Sequence, residues 1–219
     1  QTGWVLYLED RTDLAVLQAF ADRLGHRARE ALRAPFMVPV GNQPNRGREH
    51  FNALIEAKPD LVGYLLVDQD APELQSRQAL HEKKWERREI ENYLCDPRAL
   101  YSFAMELGKD FAGGPLFEAP WAERAAEAMR KAVEDRVPRA ALRDPADPWW
   151  RTVKASDEFL DLVFPQFFKN MGMRAELRKA DYYRLVKHLP DEAISPEVRE
   201  VLDGIADTAA RAKPAGGSF

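Results

Sequence analysis

Two stretches of the chain carry acids directly after an apolar run. In WVLYLEDRTD the run meets Glu9, Asp10 and Asp13; in LVGYLLVDQDAPE it meets Asp68 and Asp70. Carboxylates held close together repel unless a cation lies between them. Oxygen ligands without clustered His or Cys favour Mg2+ or Mn2+ over zinc. In an extended segment, residues two apart face the same way, so Asp68 and Asp70 could both reach one ion. Glu89 and Glu91 in WERREIENYL repeat that spacing and, on a strand, would share a face. They would add enough carboxylates for a second ion, and two metals ~3.5–4 Å apart clamp the attacking and leaving oxygens in phosphodiester cleavage. Taken singly, each acid has a plainer reading. Asp13 suits the positive end of a helix, and an edge strand of alternating charge accounts nearly as well for the stretch around Arg87 and Arg88. Glu9, Asp68 and Asp70 together, at matching strand ends, read better as a metal site.

Such a site needs a scaffold that brings strand ends together. Trp4–Leu8 reads as a buried strand. The helix in TDLAVLQAFADRLG would turn Leu14, Leu17, Phe20, Ala21 and Leu24 inward and end at Gly25. PFMVPVG is a short second strand. NRGREHFNALIEAKP is a second helix with Phe51, Leu54 and Ile55 inward and Pro59 beyond its end. LVGYLLV is apolar on both faces, as a central parallel strand should be, and KKWERREIENYL is expected to contain a fourth strand. Alternating strands and helices predict an α/β parallel sheet flanked by helices, with ligands gathering at the carboxyl ends of its strands.

The texture changes after Asp96-Pro97. RALYSFAMELG, PWAERAAEAMRKAVEDRV and ASDEFLDLVFPQFFKNMG are helical in pattern and separated by Pro and Gly. The expected organisation is an α/β core over 1–94, a helical insertion over 95–175, C-terminal helices over 176–211 that complete the core, and a disordered tail over 212–219. The chain enters a strand-like run almost at Gln1, which suggests a preceding domain.

Composition narrows the functional classes. At 45% hydrophobic and 31% charged residues, the 219-residue chain has the makings of a packed core. No apolar run approaches the ~20 residues of a membrane helix. Cys95 is the single cysteine, so no intrachain disulfide forms, and a cytoplasmic location without membrane association is expected. The net charge of −4 leaves any basic face for DNA local, with KKWERR and MRAELRK as its best sources.

LYLEDRTD followed by LLVDQD resembles a Toprim domain, the metal-binding module of topoisomerases, DnaG-type primases and certain nucleases. Asp10 stands where that family usually has Gly. RREIENYL narrows the likeness to Toprim nucleases of the OLD (overcoming lysogenization defect) family, in which an ABC-type ATPase domain precedes the Toprim region and a helical segment interrupts it. The resemblance covers residues 1–94, extends to LRKADYYRLVKHLP, and is weak over the insertion. It implies a Toprim-type fold and metal-dependent endonuclease or exonuclease action on DNA, with two Mg2+ or Mn2+ ions and Ca2+ as a substitute that does not support activity. It also implies an N-terminal ATPase domain and a helicase or other DNA-processing partner. Glu9, Asp13, Asp68 and Asp70 would bind metal, with Glu9 alternatively a general acid/base. Glu89 and Glu91 would serve the second metal, and Lys179 would offset charge on the phosphoryl oxygens. Tyr182 and Tyr183 read as core and interface rather than as topoisomerase nucleophiles.

Two other classes compete. A response-regulator receiver also places acids after strands one and three, with Asp68 as phosphoacceptor, but it has no need of both acidic pairs. A catalytically silent Toprim module would keep the fold and leave the acids without a purpose.

Overall fold

A computed structural model describes residues 3–213 of the chain, which divides into two compact units. One comprises residues up to Glu86 together with those from Ser195 onward; the other is Arg87–Ile194.

The first unit is the expected α/β structure. Strand β1 (Trp4–Leu8) leads to α1 (Arg11–Arg23) and α2 (Arg29–Arg33), β2 (Met37–Pro39), α3 (Pro44–Ala57), β3 (Val62–Val67) and β4 (Leu80–Lys84). The four strands form one parallel sheet in the order β2-β1-β3-β4. β1 and β3 are therefore interior, and their near-total burial explains why both read as unbroken apolar runs. Pro39 lies on the edge strand β2, where a missing N–H is tolerated.

Alternation along the strands sends side chains to opposite faces. Val5, Tyr7, Leu65 and Val67 pack with Phe51 of α3 on one side. Their neighbours Leu6, Leu8, Tyr64 and Leu66 are turned the other way, where Gly204 of the C-terminal helix Pro196–Ala210 lies against the Tyr64 ring. That helix is capped by Ser195, whose hydroxyl accepts the Glu197 N–H, and it buries Val198, Val201, Leu202 and Ile205. α1 begins at Asp10, whose carboxylate accepts the Thr12 N–H, so the residue that departs from the Toprim pattern serves as a helix cap. The buried stripe of α1 is Val16, Leu17, Phe20 and Ala21, joined by Asp13; Leu14 and Leu24, expected inward, are only half-buried.

The second unit is helical. Its elements are α4 (Pro97–Asp110), α5 (Glu118–Glu134), α6 (Arg139–Arg143), α7 (Trp149–Thr152), a π-helical segment Ala155–Leu160, α8 (Asp161–Met171) and a 3-10 segment Lys179–His188. α4 and α5 pair closely and α8 lies against α5. Phe103 meets Phe164 edge-on at 5.8 Å between ring centroids, and Phe164 stacks on Tyr182 at 5.7 Å.

Several boundaries differ from those read in the sequence. The fourth strand ends at Lys84, before Glu89 and Glu91. Those residues cap and enter a 3-10 turn, Ile90–Tyr93, in which every side chain is buried, so the alternation a strand needs is absent. The division between units falls at Glu86/Arg87 and Ile194/Ser195, not at 94/95 and 175/176, because residues 176–194 pack with the helices. Of the tail expected from 212, residues 214–219 lie outside the described residues. Among the described residues no helix is long and apolar enough to cross a membrane.

Candidate metal centre

The β1–β3 junction is where the chain reverses direction across the sheet: β2 lies on one side of β1 and β3 on the other. Crevices at such switch points are the usual ligand sites of open parallel sheets. Tyr7 is paired with Leu65, so two residues further on Glu9 is level with Val67, immediately before Asp68. The sheet thus brings the expected acids of β1 and β3 to adjoining strand ends. Asp68 and Asp13 are buried, Glu9 is half-buried and Asp70 is exposed.

Local contacts fix much of this arrangement. One Asp13 carboxylate oxygen accepts the Glu9 N–H at 3.1 Å, tying the first turn of α1 to the end of β1. The loop after β2 supplies a second tie, with Val40 N–H donating to the Leu8 carbonyl at 2.9 Å and Gly41 N–H to the Glu9 carbonyl at 3.0 Å. Asn42 then reaches β3. Its carboxamide oxygen accepts the Asp68 N–H at 3.0 Å, and its NH2 donates to the Asp70 carboxylate at 2.7 Å. Asn42 escaped the sequence reading. The available signal was Gly41-Asn42 directly after a short strand, a pair suited to left-handed backbone.

Beyond Asp70 the chain is held by a buried ion pair that was also missed. Arg48 of α3 donates from Nε and Nη2 to the two Glu82 carboxylate oxygens, each at 2.7 Å, and from Nη2 to the Glu73 carbonyl at 2.8 Å. Glu82 also accepts the Gln75 N–H at 2.8 Å. This bidentate pair clamps the segment between β3 and β4 from both ends.

The oxygen-only character of Glu9, Asp13, Asp68 and Asp70 suits a hard divalent cation. Among the described residues, however, no group of three or more His, Cys, Asp or Glu side chains is gathered closely enough to hold one. Asp13 and Asp70 are instead turned toward the Glu9 amide and the Asn42 carboxamide.

Glu89, Glu91 and Lys179 belong to the helical unit and meet there. Glu89 is buried as the cap of Ile90–Tyr93, with its N–H donating to the Asn92 side chain at 3.0 Å and its carboxylate accepting the Ser156 N–H. Glu91 is 1% exposed in its side chain, 3.3 Å from the Lys179 ammonium. Burial pushes its carboxyl up to about 7; the Glu89 charge adds to the rise and Lys179 opposes it. Glu91 Oε2 has no hydrogen-bond partner among the described residues. Burial also pushes the neighbouring Cys95 thiol well up, leaving it an inert core group. Tyr182 is fully buried and Tyr183 is 41% exposed, in keeping with core and surface roles.

Elsewhere in that unit, Ser102 Oγ lies 2.9 Å from His188 Nδ1, and His188 Nε2 lies 3.5 Å from Glu106. The order of groups suggests a nucleophile relay. Ser102, however, sits inside α4, where backbone N–H groups serve the helix and leave no oxyanion donors.

No family model, curated protein or solved structure matches the chain.

Proposed function

We propose that this chain is the Toprim nuclease portion of an OLD-type ATPase–nuclease and that it hydrolyses DNA phosphodiester bonds with divalent metal. The observation that carries the reading is the juxtaposition of Glu9 with Asp68 and Asp70 at the ends of neighbouring parallel strands, at the switch point of the sheet. Glu9, Asp68 and Asp70, with Asp13 behind them, would hold Mg2+ or Mn2+. Bound ions of this class supply a water of lowered pKa and offset charge on the leaving oxygen.

The chain's own groups have definable parts. The Asp13 carboxylate fixes the backbone of Glu9, which aims the Glu9 side chain from the end of β1. Lys179 is paired with Glu91 within the helical unit. The lone, buried Cys95 suits a reducing cytoplasm.

Asp68→Ala and the nearly isosteric Asp68→Asn test the reading on supercoiled plasmid with Mg2+ or Mn2+. Both variants should fold and leave nicking at background. Wild-type nicking rates in either would overturn the assignment. Wild-type uptake of Mn2+ without any cleavage would favour the silent module, and a stable aspartyl phosphate at Asp68 after acetyl phosphate treatment would favour the receiver.

A further inference from the structure

We propose that the helical unit carries a ligand site of its own, a cavity that takes a small organic monocarboxylate with an apolar body and holds its carboxylate on Arg87. The cavity has a volume of about 570 Å3 and lies wholly within Arg87–Ile194. Small-molecule pockets are typically ~300–1,000 Å3, largely apolar, with a few placed polar groups. Here Leu142, Pro145, Trp150 and Leu189 supply apolar lining, and Arg87, Asp96, Arg98 and Glu192 supply the charges.

The two arginines are not equivalent. Arg98 is engaged by acids: Nε and Nη2 donate to the Asp96 carboxylate at 3.1 and 2.8 Å, and Nη1 donates to Glu192 at 2.7 Å. Arg87 is held without an acid. Its guanidinium carbon lies 4.7 Å from the Tyr93 ring centroid, and Nη1 donates to the Asn92 carbonyl at 2.8 Å. Asn92 is itself fixed, with no exposed surface and its NH2 donating to the Trp150 and Val153 carbonyls at 3.0 and 2.9 Å. Among the described residues no carboxylate pairs with Arg87, and its Nε and Nη2 have no acceptor. A half-buried guanidinium set flat on a ring in this way offers the planar fork that matches a carboxylate. Other polar groups of the lining are already engaged. Trp150 Nε1 donates to the Ala141 carbonyl at 2.9 Å, and the Cys95 thiol to the Glu91 carbonyl at 3.3 Å.

Charge selects among anions. Arg87 and Arg98 balance Asp96 and Glu192. A dianionic phosphate would leave twice the excess negative charge of a carboxylate in a partly apolar cavity, where such excess is costly.

The test titrates 2-naphthoate into the full 219-residue chain by calorimetry, with uncharged 2-naphthylmethanol and inorganic phosphate as comparison probes. The wild type should bind 2-naphthoate about tenfold more tightly than either, the difference expected of hydrogen bonds to a charged group. Arg87→Met keeps an unbranched side chain beside Tyr93 but removes the charge. It should weaken 2-naphthoate about tenfold and leave 2-naphthylmethanol unchanged. Ala193→Phe narrows the cavity with Arg87 intact and should weaken both organic probes. No binding of 2-naphthoate by the wild type, or equal affinity for 2-naphthoate and 2-naphthylmethanol, would overturn the site. Tighter binding of phosphate than of 2-naphthoate would overturn its assignment to a monocarboxylate. Wild-type 2-naphthoate affinity in folded Arg87→Met would overturn the role of Arg87. Should that variant fail to fold, unchanged 2-naphthoate affinity in Ala193→Phe would overturn the proposal in its place.

Discussion

The Lys179 ammonium lies 3.3 Å from a carboxylate oxygen of Glu91, a side chain with almost no exposed surface. An acid buried this deeply ionises at a cost, and one nearby cation offsets only part of it. The direction of its titration reflects that imbalance.

Glu91 should therefore make the protein less stable as pH rises. Its folded carboxyl titrates at about 7, above the ordinary 4.5, so the folded chain holds this proton more tightly than the unfolded chain. That contribution is fully present below about pH 4.5 and is lost as pH rises through about 7. Glu91→Gln mimics the protonated form. In chelator-containing buffer its urea unfolding free energy should match wild type near pH 4.5 and exceed it at pH 8 by on the order of 3 kcal/mol. A gap that does not widen with pH would contradict the burial cost.

Arg48→Met should be strongly destabilising. It leaves Glu82, whose side chain is 1% exposed, buried without its bidentate partner. Removing one member of such a pair costs about 3–5 kcal/mol. Arg48→Met combined with Glu82→Leu should recover most of that loss, because an apolar pair needs no compensation. Chemical denaturation of the three variants separates the cost of an orphaned charge from that of lost packing.

Gly108→Ala should lower the melting temperature although alanine is the better helix former by about 1 kcal/mol. A β-carbon at that position would lie 2.6 Å from the Trp121 carbonyl oxygen and 2.8 Å from Ala125 Cβ, where α4 and α5 approach each other. The first obstacle is backbone and cannot rotate away, so a net loss of about 1–3 kcal/mol is expected. An unchanged or raised melting temperature would mean the two helices can separate freely.

The parallel sheet was legible because both interior strands are apolar on two faces and because α1 and α3 have the periodicity of helices. The end of β4 was not. Trp85, Ile90 and Tyr93 are apolar enough to continue a strand in pattern, but they are buried beyond the end of β4, two of them in a turn capped by Glu89. The same-face argument for Glu89 and Glu91 failed with that strand, and both acids are instead deeply buried in the helical unit, which their spacing did not signal. The Arg48–Glu82 pair was beyond reach, and for Asn42 only the Gly41-Asn42 turn signal was at hand, since each joins residues 26 to 34 positions apart through side-chain hydrogen bonds that leave no periodic trace.

The α/β unit is written in two pieces of chain, and this dictates the order in which a ribosome can finish it. Glu86 N–H donates to the Glu197 carboxylate at 2.8 Å, so departure and return are tied side by side, but Arg87–Ile194 must be synthesised between them. At about 5–20 residues per second the C-terminal helix emerges roughly 5–20 s after β4. For that interval the surface formed by Leu6, Leu8, Tyr64 and Leu66 lacks its last covering element, the helix capped by Ser195.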